Sequence, residues 1–414
     1  MTEQWTEQWD RTAAVAADAK LVGAAVSVAG AGMVDREVLA EVVALCAVAG
    51  EHLLVIGAPG TAKSEVVRRV AGQLGGEYFE YLLGRFTEPN ELFGSVDLRQ
   101  LREGVVEFET AGMLPQAEVA FLDEVFLGST AVLNTLLGLL NERVFRRGRT
   151  TLASPLRICV GAANSLPEDP ALEAFADRFL ARVFVEPVPD DRLEELLEAG
   201  RRPAPALPTD GSLLPALDRL ATAARDCALD QVTPAVAAAV RRLRAAGVPL
   251  SDRRAVRAQR LIAAAAALDG RTTATSRDLW VLPLVAPTAD AQALARDTLA
   301  DLVGEAGSGS LVYAAEELSR GARARAGRLG RAGAELLAEL AATVAEVSAD
   351  SAATAPGAGA GVGVGATAAA TPAVRDLRLR LEATLREIDA SFDPADLPEE
   401  LGGIRAQLVA AVRP

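Results

Sequence analysis

His52-Leu-Leu-Val-Ile56, followed directly by Gly57-Ala58-Pro59-Gly60-Thr61-Ala62-Lys63-Ser64, reads as a short buried strand that runs into a glycine loop and opens a helix. In that order the main-chain N–H groups of the loop and the N-terminus of the helix converge on one place, which makes an anion site. Lys63 can reach the outer oxygens of a phosphate chain there and Ser64 can bind Mg²⁺, so the candidate nucleotide ligands run from Gly57 through Glu65. Ala62 departs from the usual glycine before the lysine; read as the first helical residue with ordinary dihedrals, alanine is acceptable. The stretch predicts binding of ATP or ADP together with Mg²⁺.

Outward from it, apolar runs at Val119–Leu122, Arg157–Gly161 and Val183–Val185 alternate with helical patterns at Val34–Ala49, Val132–Leu140 and Leu172–Phe179. That alternation predicts an α/β class, a parallel sheet covered by helices, ending near Pro189. Leu98–Phe108, turning at Arg102-Glu-Gly104, and Val144–Leu152, turning at Arg147-Gly148, read as two hairpins inserted into the pattern. The expected organisation is a helical extension over 1–29, the α/β core over 30–189, an all-α region over 190–288 and a helical region over 289–349. A flexible Gly/Ala/Thr/Pro linker over 350–372 and a helical hairpin over 373–414 complete it. In the hairpin, Val374, Leu377, Leu381, Leu385 and Ile388 form one apolar stripe, and Leu397, Leu401, Ile404 and Leu408 another. Trp5 and Trp9, in a repeated Thr-Glu-Gln-Trp, share one helical face suited to packing on the body.

The chain has 414 residues, enough for two or three cored domains, and 42 basic against 56 acidic side chains give a formal charge of −14. That balance opposes non-specific binding to nucleic acid or an anionic membrane surface. No basic leader precedes an apolar stretch and no later apolar run reaches spanning length, so a cytoplasmic protein without a membrane segment is expected. Cys46, Cys159 and Cys227 are scattered without metal-ligand spacing and are expected to be buried free thiols. Lysine survives only at Lys20 and Lys63; a phosphate loop needs a compact ammonium where a planar guanidinium will not serve.

Val119-Ala-Phe-Leu-Asp123-Glu124 is an apolar strand ending in two carboxylates, which suits Asp123 to the metal shell and Glu124 to polarising water as a base. Asn164, at the end of the next strand, can orient that water, although asparagine also caps turns. Arg178, in Ala-Asp-Arg-Phe, is a candidate arginine finger whose ordinary alternative is a salt bridge to Asp177 or Glu173, and Arg182 is the alternate finger. Ser251-Asp-Arg253-Arg254 reads as a helix start capped by Ser251 or Asp252, with Arg253, Arg257 and Arg260 on one face, ordinarily a solvated stripe.

Together these motifs resemble the AAA+ ATPases, and within them the MoxR branch, closest to its RavA-like members, over about residues 30 to 285. Leu133-Asn-Thr-Leu-Leu137, Asn141-Glu-Arg143 and Asn164-Ser-Leu-Pro167 add to the resemblance. It implies a five-stranded αβα P-loop core with a helical lid, an ATP site between subunits, and assembly as a homo-oligomeric ring, typically a hexamer. By motif position, Asn164 is similar to sensor 1, Arg178 to the finger acting on a neighbour's ATP and Arg253, with Arg254 as its alternative, to sensor 2, while Val34 in Gly32–Arg36 lies where the family contacts adenine. The two inserted hairpins correspond to insertions that such rings direct toward pore or substrate. Chaperone-like remodelling of a partner protein is the implied function, often one with a von Willebrand factor A domain. A DNA-acting ring and a nucleotide-gated adaptor without turnover are the alternatives; the acidic charge argues against the first, Glu124 and Arg178 against the second.

Overall fold

The computed structural model describes residues 2–201, 213–320, 322–353, 372–392 and 397–412. The side chains of Trp5 and Trp9, and residues 354–371 of the expected linker, lie outside the described residues. The chain forms two compact units, Met1–Arg320 and Gly321–Pro414.

In the first unit α1 (Thr2–Gly30) and α2 (Glu37–Ala49) lead to β1 (Leu53–Gly57), and α3 (Lys63–Leu74) follows the glycine loop. Next come β2 (Tyr78–Leu82), the short helices α4 (Pro89–Phe93) and α5 (Leu98–Arg102), β3 (Val119–Asp123) and α6 (Thr130–Glu142). The hairpin β4 (Val144–Arg147) and β5 (Thr150–Ala153), then β6 (Ile158–Ala163), α7 (Pro170–Ala176) and β7 (Ala181–Val185), complete the α/β part. The rest is helical: α8 (Leu193–Ala199), α9 (Leu214–Arg225), α10 (Thr233–Ala245), α11 (Asp252–Leu268), a 3-10 run Ser276–Val285, α12 (Ala289–Val303) and α13 (Val312–Ser319).

Five strands form one sheet in the order β2-β3-β6-β1-β7, and every pairing is parallel. The central strands β1, β3 and β6 are buried almost throughout, as a sheet covered on both faces requires. Because all five run the same way, residues that follow strands collect at one edge and residues that precede them at the other. The carboxyl edge carries the loop 57–62, Asp123-Glu124 and Asn164; the amino edge carries Glu51, His52, Arg157, Phe179 and Leu180. Five residues of strand separate the two edges by about 16 Å.

At the amino edge His52, the only histidine, is fully enclosed. Its Nδ1 accepts from the Cys159 amide at 3.0 Å, and its Nε2 lies 3.0 Å from the Leu140 carbonyl and 2.7 Å from Arg143 Nη1. Burial first, and the Arg143 guanidinium beside the ring second, push its pKa well below 6.5. The unfolded chain therefore takes up a proton near pH 6.5 that the native ring refuses, so stability is full above that pH and falls as the pH drops below it. Urea unfolding should show a loss of about 1 kcal/mol between pH 6.5 and 5.5, steepening toward about 1.4 kcal/mol per unit below that, and a His52→Asn variant should lack that slope.

Several sequence expectations differ from the structure. Leu98–Phe108 is not a strand hairpin: the Asp97 side chain caps α5 by accepting from the amides of Arg99 and Gln100, and only Val96 and Phe108 pair across the segment. It leans on the other insertion, β4–β5, which is a hairpin as expected; Thr150 Oγ1 accepts from the Phe108 amide at 3.0 Å and Arg147 lies 4.4 Å over the Phe108 ring. Thr12–Gly30 within α1 is, contrary to expectation, long and apolar enough to cross a membrane, with mean hydropathy 1.4. Here it is a packed helix: Val15, Ala19, Val22, Val26 and Ala29 are buried against α2, α3, α9 and α11, and buried Asp18 pairs with Arg219 at 2.6 Å. It is thus part of the first unit rather than an extension. The boundary between units falls at residues 320/321, inside the segment expected over 289–349, because α12 and α13 bury Ala295, Leu299, Val312 and Leu318 in the first unit.

The second unit contains α14 (Ala322–Ala353), α15 (Pro372–Ser391) and α16 (Glu399–Val412). Leu329 and Leu336 of α14 meet Leu377, Leu381 and Ile388 of α15 and Leu401 and Leu408 of α16 in one core. The two stripes read from sequence therefore face a third helix as well as each other.

Candidate nucleotide site

Two backbone constraints shape the loop between β1 and α3. A Cβ on Gly57 would lie 2.3 Å from the Val185 carbonyl of β7, and Gly60 has φ +79°. The expectation of ordinary dihedrals at Ala62 is corrected: it adopts φ 61°, ψ 25°, the left-handed region that disfavours a Cβ. Ala62→Gly should therefore raise stability by about 1 kcal/mol, read as an upward shift of a few degrees in Tm; a lower Tm would overturn the strain assigned to Ala62.

Lys63 is buried beneath this loop, where its Nζ donates to the carbonyls of Gly57 at 2.7 Å and Ala58 at 2.9 Å. Burial lowers its pKa, and the charges of Asp123 and then Glu124 oppose that shift. The loop itself is pinned from below by Arg36, a buried side chain whose Nε donates to the Thr61 carbonyl at 2.8 Å and whose Nη2 donates to the Glu186 carbonyl at 2.9 Å. Val34, two residues earlier, is buried in the turn between α1 and α2. Ser64 is half-buried in the first turn of α3, and the Glu65 carboxylate is held by Arg69 and Arg68, both at 2.7 Å.

The sheet brings the acids to the same edge. Asp123 ends β3 and its Oδ1 accepts from the Glu124 amide at 3.0 Å. Glu124 sits at φ 49°, an unfavourable conformation for a non-glycine residue, and its Oε1 accepts from Asn164 Nδ2 at 2.5 Å. Lys63, Asp123, Glu124 and Asn164, four residues singled out in sequence, thus collect at the ends of β1, β3 and β6. Among the described residues no cluster of three or more His, Cys, Asp or Glu side chains could hold a metal. Ser64 and Asp123 offer two oxygens, a donor set that suits Mg²⁺, which is bound mainly by phosphate and water.

The candidate arginines lie elsewhere. Arg178 follows α7 at the amino edge; it is half-buried, forms no ion pair among the described residues, and its Nε has no partner. The salt bridge considered for it goes instead from Asp177 to Arg254 at 2.8 Å. Arg182 is buried in β7, donates to the Pro287 carbonyl, and is lowered to about 10 by burial and by Arg254. Arg253 is exposed at the start of α11, with Nη2 at 3.2 Å from Asn141 Oδ1. Ser251 is the cap, accepting from the Arg254 amide. The expected solvated stripe is only partly so: Arg257 and Arg260 both close on the fully buried Glu51.

Sequence reasoning did not find Arg36 or the Glu51 cluster, and it offered Arg254 only as the alternative to Arg253 for sensor 2, not as a buried staple. Arg36 stood within the Gly32–Arg36 segment already singled out, and Arg254 beside Arg253, but most of their partners are main-chain carbonyls distant in sequence, 25 and 150 residues away for Arg36 and 31 to 75 away for Arg254.

Comparison with known proteins places the chain in a family. A family model described as the MoxR domain in the MoxR-vWA-beta-propeller ternary systems matches residues 20–224, and one described as an AAA lid domain matches residues 235–293. The junction between them falls between α9 and α10, later than the expected 189/190, in keeping with the packing of α9 on α1 and α2. An uncharacterized protein of Methanocaldococcus jannaschii is 34% identical over 235 residues, 56% of this chain and 61% of its own length. The chain thus spans less than two thirds of that curated relative. Chaperone MoxR1 of Mycobacterium tuberculosis is 30% identical over 160 residues, 37% of this chain and 42% of its own. A crystal structure of a candidate ATPase from Cytophaga hutchinsonii shares the fold with a TM-score of 0.56 at 17% identity, covering 77% of this chain and 98% of that one. With its parallel αβα core, its helical lid and both family matches, the chain belongs to the MoxR family of AAA+ ATPases.

Proposed function

We propose that this chain hydrolyses Mg-ATP to ADP and phosphate at the interface of a homo-oligomeric, hexameric ring and uses the cycle to remodel or mature a partner protein that carries a von Willebrand factor A domain. The observation that carries the ATPase reading is the convergence of Lys63, Asp123, Glu124 and Asn164 on the carboxyl edge of the sheet, where ligands of open α/β folds bind. Residues 57–65 would cradle the phosphates, Ser64 and Asp123 would hold Mg²⁺, and Val34 would border the adenine. The metal, when bound, supplies charge neutralisation between the phosphates. Glu124 takes the proton of the attacking water, and Asn164, through its bond to Glu124, holds that pair in register.

The ring reading draws support from the opposite edge. Arg178 and Arg253 lie at the amino edge, about 16 Å of strand from their own chain's loop, farther than an arginine reaches. Either can serve only a neighbouring subunit's nucleotide. The partner class draws support from the description of the matching family model and the chaperone role from the name of the Mycobacterium tuberculosis relative. A DNA-acting ring is disfavoured by the charge of −14 and by the second hairpin, where Arg146 pairs with Glu142 and Arg147 is engaged by Asn90 and Phe108.

Lys63→Ala should weaken ATP binding by at least about 100-fold, some 2.7 kcal/mol, in calorimetry. Unchanged affinity with an intact fold would overturn the phosphate-loop reading.

A further inference from the structure

Arg254 is 3% exposed, and all its contacts but one are to main chain. Its Nε donates to the Val285 carbonyl at 2.8 Å, Nη1 to Asp177 Oδ1 at 2.8 Å and to the Phe179 carbonyl at 3.4 Å, and Nη2 to the Leu180 carbonyl at 2.5 Å. One turn further along α11, Arg257 Nη2 donates to the Arg178 carbonyl at 3.2 Å while also pairing with Glu51. Three successive carbonyls, those of Arg178, Phe179 and Leu180, are therefore held by two arginines of one helix. The main chain of Arg178 is fixed, yet its guanidinium forms no ion pair among the described residues. Arg253, the neighbour of Arg254 in sequence, rides on the same helical turn.

We infer that Arg254 is a positioning residue: it locks the turn that carries Arg178 to the first turn of α11 that carries Arg253, so that both guanidiniums meet the neighbouring subunit's nucleotide in one fixed register. The inference rests on the reading of Arg178 as a finger acting between subunits. A lysine cannot replace this staple, because a compact ammonium has neither the reach nor the fork to hold a carboxylate and carbonyls of two segments at once. A misplacement of about 1 Å at a catalytic group can cost on the order of 10²-fold in rate.

The test pairs two inactive subunits. Glu124→Gln subunits present a finger but cannot hydrolyse; Arg178→Ala subunits keep an intact hydrolytic site but present no finger. Mixed together, they should regain activity at the sites where the second borrows from the first. Adding Arg254→Lys to the Glu124→Gln subunit should lower kcat of the mixture by about 100-fold with KM for ATP little changed. Adding it to the Arg178→Ala subunit should leave most of the recovered activity. Equal loss in both placements, or loss only in the second, would overturn the positioning role, since a merely structural contact has no reason to follow the finger-giving subunit. Asp177→Asn, which removes one charge of the staple and keeps its shape, should reproduce the asymmetry at smaller size and serves if Arg254→Lys fails to fold. If the parent pair does not regain activity, the finger reading fails first and this inference with it.

Discussion

Arg178→Ala should lower ATP turnover by about 10³-fold or more while leaving ATP affinity close to that of the unaltered chain. The expectation follows from position. Arg178 stands at the amino edge of the sheet, three residues before β7, and its own chain's loop stands at the carboxyl edge. A side chain placed there contributes nothing to binding in its own subunit, so affinity should hold while the step that develops charge on the phosphates loses its counter-charge. The dependence on assembly gives the sharper measurement. Titrating Arg178→Ala subunits into unaltered ones should depress activity more steeply than the mutant fraction; a strictly proportional decline would mark Arg178 as structural. Arg182→Ala offers the contrast, because that guanidinium is buried, bonded to Pro287 and packed beside Arg254. Its loss should appear mainly as a lower unfolding midpoint, of the order of 1–3 kcal/mol for a broken buried hydrogen bond to a charged group.

Much of the carboxyl edge was legible in the sequence, because the chemistry there is encoded by short contiguous runs. A strand must be apolar to lie inside a covered parallel sheet, and it must end in a polar residue where it emerges; Val119–Glu124 and Ile158–Asn164 show both features within a few residues. Once the sheet forms, those ends are neighbours by topology, so Glu124 and Asn164 meet although 40 positions separate them. The amino edge was hidden for the opposite reason. Glu51, His52, Arg143, Arg254 and Arg257 are joined through partners that bear no motif, chiefly carbonyls, and every residue has a carbonyl. Nor does the sequence say that a polar side chain such as Arg36 or Glu51 will be enclosed, since arginine and glutamate are ordinarily exposed. The two local misreadings have local causes. Asp97 is a helix cap standing where a strand was expected, and Ala62 takes a left-handed conformation that alanine composition argues against.

Glu124→Gln should abolish turnover, by about 10²–10⁴-fold for the loss of a positioned base, with ATP binding retained. The substitution is close to isosteric, and glutamine Oε1 can still accept from Asn164 Nδ2, so the pair at the end of β3 and β6 keeps its geometry. What is lost is the ability to take a proton. Single-turnover phosphate release separates the outcomes: bound ATP that persists without phosphate marks the chemical step, whereas weakened binding would place Glu124 among the ligands of the nucleotide and overturn its assignment as base. Turnover equal to that of the unaltered chain would remove Glu124 from the mechanism altogether. The same variant bears on the partner. If ATP-bound rings are the state that engages a client, the Glu124→Gln chain held in ATP should retain a von Willebrand factor A domain protein through gel filtration, and the Lys63→Ala chain should not. Retention by both would make the association independent of the nucleotide site, and a nucleotide-driven remodelling cycle would then have no basis in Glu124.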